Sequence, residues 1–116
     1  MAIHRAGTYP VTIKTPLAPS EYSEILVSFA QGQQLVVEKT NGDSGFSTTD
    51  DAVVVTLTQA ETLLFQPTAG SPMGGTRAPM AFLQIRCYKS DLDAPASAVW
   101  PLEVYDALNQ EVLDGV

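Results

Sequence analysis

Hydrophobic and polar residues alternate with a period of two along most of the chain, a pattern typical of half-buried β-strands. Residues 80–88 show it most clearly. One predicted face of this strand is apolar and consists of Ala81, Leu83, Ile85 and Cys87. The opposite face consists of Phe82, Gln84, Arg86 and Tyr88.

Five further segments favour strands. They are residues 7–15, 24–31, 33–40, 51–58 and 98–105. Gly32 predicts a tight connection between the second and third of these, and Pro101 suits a strand edge or a bulge because it lacks an N–H group. Six strands in about 100 residues predict an all-β fold, an immunoglobulin-like antiparallel β-sandwich of about six or seven strands. The Cys…Trp…Cys pattern of true immunoglobulin domains is absent, so the prediction concerns the architecture alone.

Two segments depart from the alternation. Residues 57–65 predict one short helical turn, because Thr58 can cap it and Glu61 follows at the spacing of a capping box. Residues 66–79 form a long loop with three prolines and three glycines. Loops of that length are usually functional or disordered.

Composition narrows the functional classes. A length of 116 residues with 45% hydrophobic residues predicts a single domain, 1–116. The net charge of −7 argues against nucleic acid and anionic membranes as partners, since both attract clustered Lys and Arg. The N-terminus has no apolar signal-peptide core, and one cysteine cannot form an intrachain disulfide.

Candidate catalytic residues are few. Residues 42–45 read Gly-Asp-Ser-Gly, the tetrapeptide around the nucleophile of chymotrypsin-like proteases. Ser44 would need a base and an orienting acid, but the only histidine is His4 and no Asp lies between His4 and Asp43. A turn between strands explains the tetrapeptide better. Cys87 falls on the apolar side of its strand, where a thiol acts as a small hydrophobe. The sequence therefore predicts a protein that is not an enzyme.

The sequence evidence for a metal or cofactor site is equally weak. Asp43, Asp50 and Asp51, or Asp91 and Asp93, could approach a calcium ion. Neither group has the glycine and distal glutamate of a calcium loop. We predict no catalytic, cofactor-binding or metal-binding residues.

A candidate interaction surface includes Phe82, Arg86 and Tyr88, which point away from the inferred core. Outward aromatic residues can lie under another subunit, under the long loop or against a ligand such as a sugar. Arg86 is expected to form an ion pair with Glu103 on a neighbouring strand. Val112 and Leu113 in the last segment could add a strand to a neighbouring subunit or close the chain's own sheet.

Four segments, in order, resemble small proteins encoded in the structural gene clusters of phages and prophages of Gram-positive bacteria. The matches are Ala30 and Gln31; Leu57, Thr58, Gln59, Glu61, Thr62 and Phe65; Gln84, Ile85 and Arg86; and Leu113, Asp114 and Gly115. The layout is also similar to the N-terminal immunoglobulin-like domain of upper baseplate proteins. Loop 66–79 is longer than the corresponding loop of these phage and prophage proteins.

The resemblance implies a virion protein of the tail or baseplate, present in the host cytoplasm during assembly. Its expected partners are other phage structural proteins and further copies of itself. A carbohydrate- or host-surface-binding module, using Phe82, Tyr88 or loop 66–79, is the alternative.

Overall fold

A computed structural model describes residues 2–68, 78–89 and 96–105, which form two β-sheets. The strands are β1 (Ala2–His4), β2 (Tyr9–Lys14), β3 (Glu24–Gln31), β4 (Gln34–Thr40), β5 (Phe46–Thr48), β6 (Ala52–Leu57), β7 (Ala81–Tyr88) and β8 (Ala96–Tyr105). A 3₁₀ turn spans Pro19–Glu21, and the single-turn helix α1 spans Gln59–Thr62.

The five-stranded sheet has the order β1-β8-β7-β3-β4, and the three-stranded sheet has the order β2-β6-β5. The chain passes between sheets after β1, β2, β4 and β6, as in the Greek-key sandwich of immunoglobulin domains. The predicted immunoglobulin-like sandwich is thus confirmed. The described residues contain eight strands, two more than the six segments predicted above. The two additional strands, β1 and β5, have only three residues each, which is too few to show a period. The pairing of β1 with β8 is parallel, whereas the other pairs are antiparallel.

The core lies between the sheets, where the alternating residues of both sheets meet. The predicted apolar face of β7 is confirmed, since Ala81, Leu83, Ile85 and Cys87 are all at most 5% exposed. Phe29 on β3 and Phe65 after α1 pack edge to face, with ring centroids 6.2 Å apart. Both rings are fully buried, so the segment after α1 is anchored by the core.

The β3–β4 hairpin contains a two-residue turn and a bulge. Gly32 and Gln33 both have positive φ, at 60° and 66°, as a type I′ turn requires. The second strand therefore begins one residue later than the alternation predicted. Further along, Phe29 pairs with Val37 while Ala30 pairs with Leu35. The extra residue reverses the alternation, and Leu35 faces solvent while Val37 faces the core.

Helix α1 has the predicted capping box. The Thr58 hydroxyl accepts from the Glu61 N–H, and the Glu61 carboxylate accepts from the Thr58 N–H. The buried Thr62 hydroxyl donates to the carbonyl of Gly7, 2.8 Å away, which ties the helix to the β1–β2 turn.

Gln31 holds together the two ends of loop 66–79. Its amide nitrogen donates to the carbonyls of Gln66 and Pro79, at 2.8 and 3.0 Å. Its amide oxygen accepts from the Gln66 N–H at 2.8 Å. Residues 69–77 of this loop lie outside the described residues.

Candidate interaction surface

The Gly-Asp-Ser-Gly segment is the turn between β4 and β5, as predicted. The Asp43 carboxylate accepts from the Thr40 N–H, and the Ser44 carbonyl accepts from the Lys39 ammonium at 2.9 Å. The Gly45 carbonyl accepts from the Thr56 N–H. Gly45 has φ +81°, and a Cβ there would collide with the Thr56 carbonyl oxygen. Gly45, the last residue of the tetrapeptide, is therefore needed for the close approach of the turn to β6.

A Ser44–His4 catalytic pair is ruled out by the sheet order. His4 lies on β1, and Ser44 follows β4, the opposite edge of the same sheet. Four strand spacings of about 4.8 Å separate the two edges by about 19 Å. The hydrogen bond that a serine nucleophile needs from its base is therefore impossible.

Lys39 is a buried cation on the inner face of β4. Its ammonium lies 2.8 Å from a Glu61 carboxylate oxygen and 2.9 Å from the Ser44 carbonyl. Burial by itself would raise the pKa of Glu61. The bonds from Lys39 and from the Thr58 N–H outweigh it and hold that pKa below its usual value. This contact joins β4, the β4–β5 turn and helix α1.

The remaining chemical candidates also have structural explanations. Burial raises the pKa of the Cys87 thiol, which disfavours the nucleophilic thiolate. Within residues 2–68, 78–89 and 96–105, no three His, Cys, Asp or Glu side chains are grouped so as to hold a metal ion. Asp91 and Asp93 lie outside those ranges.

None of the helices that the structure describes is long and apolar enough to span a membrane.

The outward face of the five-stranded sheet brings together three of the five predicted interaction residues. Phe82, Arg86 and Tyr88 alternate along β7 on the side away from the core, and Phe82 and Tyr88 are nearly half exposed. Val112 and Leu113 lie outside the described residues.

An apolar row crosses this outward face at the level of Phe82. Directly opposed residues of paired strands place their side chains on the same face. Phe82 is opposed by Pro101 on β8 and by Ala30 on β3, and Ala30 is opposed by Leu35 on β4. The row therefore spans four strands without a polar side chain.

Sequence reasoning missed further apolar members of the same face. Seven large hydrophobic residues are exposed in the described chain, and five of them lie on this face: Leu35, Phe82, Tyr88, Val99 and Tyr105. Val99 and Tyr105 could have been found, because alternation along residues 98–105 puts them on the face opposite to Ala98, Trp100, Leu102 and Val104. Leu35 could not, because the bulge reverses the alternation of β4.

The predicted Arg86–Glu103 ion pair is wrong. Arg86 is opposed by Ser97, and Glu103 lies six residues further along β8. That separation is about 20 Å at 3.3 Å per residue. Glu103 instead accepts a hydrogen bond of 2.6 Å from the Tyr105 hydroxyl.

Arg86 occupies the more polar end of the outward face. With Glu24, Leu26 and Tyr88 it lines a groove of about 270 Å³. No hydrogen bond or ion pair joins Arg86 to another residue of the described ranges. Glu24 and Glu38 are the acidic residues of β3 and β4 on this side.

A small aromatic cluster lies at one end of the outward face, where β1 pairs with β8. The His4 and Tyr105 rings stack with centroids 5.2 Å apart. The Glu103 carboxylate, as hydrogen-bond acceptor and as a nearby charge, raises the pKa of Tyr105. An exposed ring beside a carboxylate can pack against a ligand and accept its hydrogen bonds.

The chain matches no protein-family model and no curated protein.

Proposed function

We propose that this chain is a non-enzymatic structural protein of a phage or prophage virion, associated with the tail or baseplate, and that it acts through protein–protein assembly. The observation that carries the proposal is the apolar row from Leu35 to Pro101 on the outward face. Contiguous exposed apolar surface is typical of protein–protein contacts, and here it lies on a rigid five-stranded sheet rather than on a loop.

The segments that resemble phage structural proteins support the proposal in a second way. Several of their residues have architectural contacts: Gln31 joins the loop ends, Glu61 binds Lys39, and Thr62 binds the β1–β2 turn. A shared order of such residues is the expected signature of a shared scaffold. The scaffold would then present the outward face to neighbouring subunits in the virion, after assembly in the host cytoplasm.

Mass spectrometry of purified particles from the induced source strain tests the proposal. We expect the chain at a multiple-copy level relative to the major tail protein. Extracellular fractions from uninduced cultures, prepared in the same way, control for carry-over. Good expression in the cell with no chain in the particles would contradict the proposal.

The alternative is a carbohydrate- or host-surface-binding module, and the His4–Tyr105–Glu103 cluster favours it. Aromatic rings stack on sugars, and carboxylates accept hydrogen bonds from hydroxyl groups. Glycan titration followed by NMR tests it, because Trp100 lies on the inner side of β8 and its fluorescence is a poor reporter of the outward face. Under this alternative, Tyr105→Ala abolishes the shifts and Leu64→Ala, on the α1 side, does not.

A further inference from the structure

We infer that the outward face of the five-stranded sheet binds a second copy of this chain, related by a two-fold axis that passes over Gln84. This inference rests on the proposed function, because it names one partner of the same surface. It goes further by specifying which residues meet.

The face is large enough for a reversible dimer. Strands β8, β7, β3 and β4 give a width of about 19 Å, and eight residues of β7 give a length of about 26 Å. The projected area is therefore about 500 Å², so that two copies cover about 1,000 Å² in total, near the lower limit of specific interfaces. A dimer of moderate affinity is the expected result.

The position of Arg86 selects the orientation of the axis. Arg86 is the only Lys or Arg on the outward faces of β3, β4, β7 and the described part of β8. A two-fold axis along β7 would place Arg86 against Arg86 of the second copy, which is unfavourable. An axis across the strands, over Gln84, exchanges the two ends of the face instead.

On β7 and β3, this second orientation places unlike groups opposite each other. Phe82 lies two residues before Gln84 and Arg86 lies two residues after it, so each guanidinium meets the exposed ring of the other copy. Arginine on an aromatic face is a favourable cation–π contact. Ala30, in the apolar row, meets Leu26, which β3 presents beside Arg86. Glu38 on the edge strand β4 is level with Ser28 and Gln84. The axis therefore also brings Glu38 near Glu38 of the second copy.

Charge repulsion gives the inference a distinctive salt dependence. Each copy has a net charge of −7, and the two Glu38 carboxylates face each other at the solvent-exposed edge. The Debye length falls to about 8 Å at physiological ionic strength, which screens such exposed charges. The dimer should tighten between 20 and 300 mM NaCl, whereas a contact made by exposed ion pairs would weaken.

Analytical ultracentrifugation of the full chain over a concentration series is the first test. We expect a monomer–dimer equilibrium that Phe82→Ser weakens at least tenfold and that Glu38→Gln strengthens. Leu64→Ser is the matched control, because Leu64 is 58% exposed but lies after α1. A monomer at all concentrations, or a Phe82→Ser dimer as tight as wild type, would overturn the inference.

Cross-linking tests the axis itself. Gln84→Cys should link to itself through a short bis-maleimide, since facing sheets pack about 10 Å apart. Arg86→Cys should link much less, because the two copies of this position are about 13 Å apart along the strands. Ser47→Cys, on the outward face of β5, is the control for random collisions, and the buried Cys87 is common to all. Equal linking at all three positions would refute this geometry.

The two proposals can fail separately. A chain that is abundant in particles but monomeric, with residue 84 cross-linked there to a different protein, would overturn the second-copy inference and leave the virion function standing. A salt-strengthened dimer that is absent from particles would do the reverse.

Discussion

The two faces of β7 show how differently one sheet can use hydrophobic residues. Leu83 and its inward neighbours are covered by the three-stranded sheet, while Phe82 and Tyr88 on the outward side remain nearly half exposed. The polar residues differ too. On the inner face, Gln31 is hydrogen-bonded to backbone groups of Gln66 and Pro79, and Lys39 binds the Ser44 carbonyl and the Glu61 carboxylate. No hydrogen bond or ion pair joins the Glu38 or Arg86 side chain on the outward face to another described residue. Burial, rather than hydrophobicity, separates the structural residues from the candidate interaction residues.

The largest expected difference in the free energy of unfolding is between Leu83→Ala and Phe82→Ala. Leu83 is fully buried, so its truncation should lower the free energy of unfolding by about 2–5 kcal/mol. Phe82→Ala should cost much less, about 1 kcal/mol, because the side chain is already 45% exposed in the described chain. Urea denaturation at a concentration below the dimer dissociation constant measures both. A large loss for Phe82→Ala would show that the outward face is covered within the monomer.

Gln31→Ala tests whether an inner-face polar residue matters as much as an apolar one. The change removes three hydrogen bonds and leaves carbonyls at both ends of loop 66–79 without partners. We expect a loss of about 1–3 kcal/mol. Hydrogen exchange at the Gln66 amide, which binds the Gln31 side chain, should also accelerate. Gln34→Ala is the matched control, since Gln34 is opposite Gln31 but exposed. Equal effects of the two variants would contradict the structural role of Gln31.

Lys39→Met and Glu38→Gln compare adjacent charged residues on opposite faces. Lys39→Met leaves Glu61 and the Ser44 carbonyl without a cation. The loss should be about 1–2 kcal/mol, because Glu61 is partly exposed and keeps its bond to Thr58. Glu38→Gln should stay within about 0.5 kcal/mol of wild type. Thermal unfolding of both variants checks this, and a neutral Lys39→Met would mean that the buried pair only offsets its own desolvation.

The smallest expected effect is the pH dependence of the Lys39–Glu61 pair. The folded-state pKa of Glu61 lies below its unfolded value of about 4.5. Its stabilisation is therefore fully present above that value and is lost as the pH falls through the folded pKa. The stability difference between wild type and Glu61→Gln should be constant from pH 7 to about 5 and shrink towards pH 3. A difference that persists unchanged at pH 3 would show that the carboxylate charge is not involved.

The sequence allowed the sandwich, six of the eight described strands and the capped turn of α1 to be predicted, since each depends on local periodicity or local capping. It also placed Phe82, Arg86 and Tyr88 on one face. Strands β1 and β5 were missed because three residues cannot show a period. The ion pair of Arg86 with Glu103 was wrong because charge pairing depends on the register of two strands, which alternation within each strand does not determine.

The sequence by itself determined which residues of β7 face inward, because side chains of a strand alternate whatever the strand packs against. It determined equally that the Gly-Asp-Ser-Gly segment forms a turn. Only the tertiary structure decided that Leu35 joins the outward row, since the bulge in β4 is defined by pairing with β3. It also decided that Lys39 can be buried, because the Glu61 and Ser44 oxygens that bind its ammonium come from segments on either side of β6.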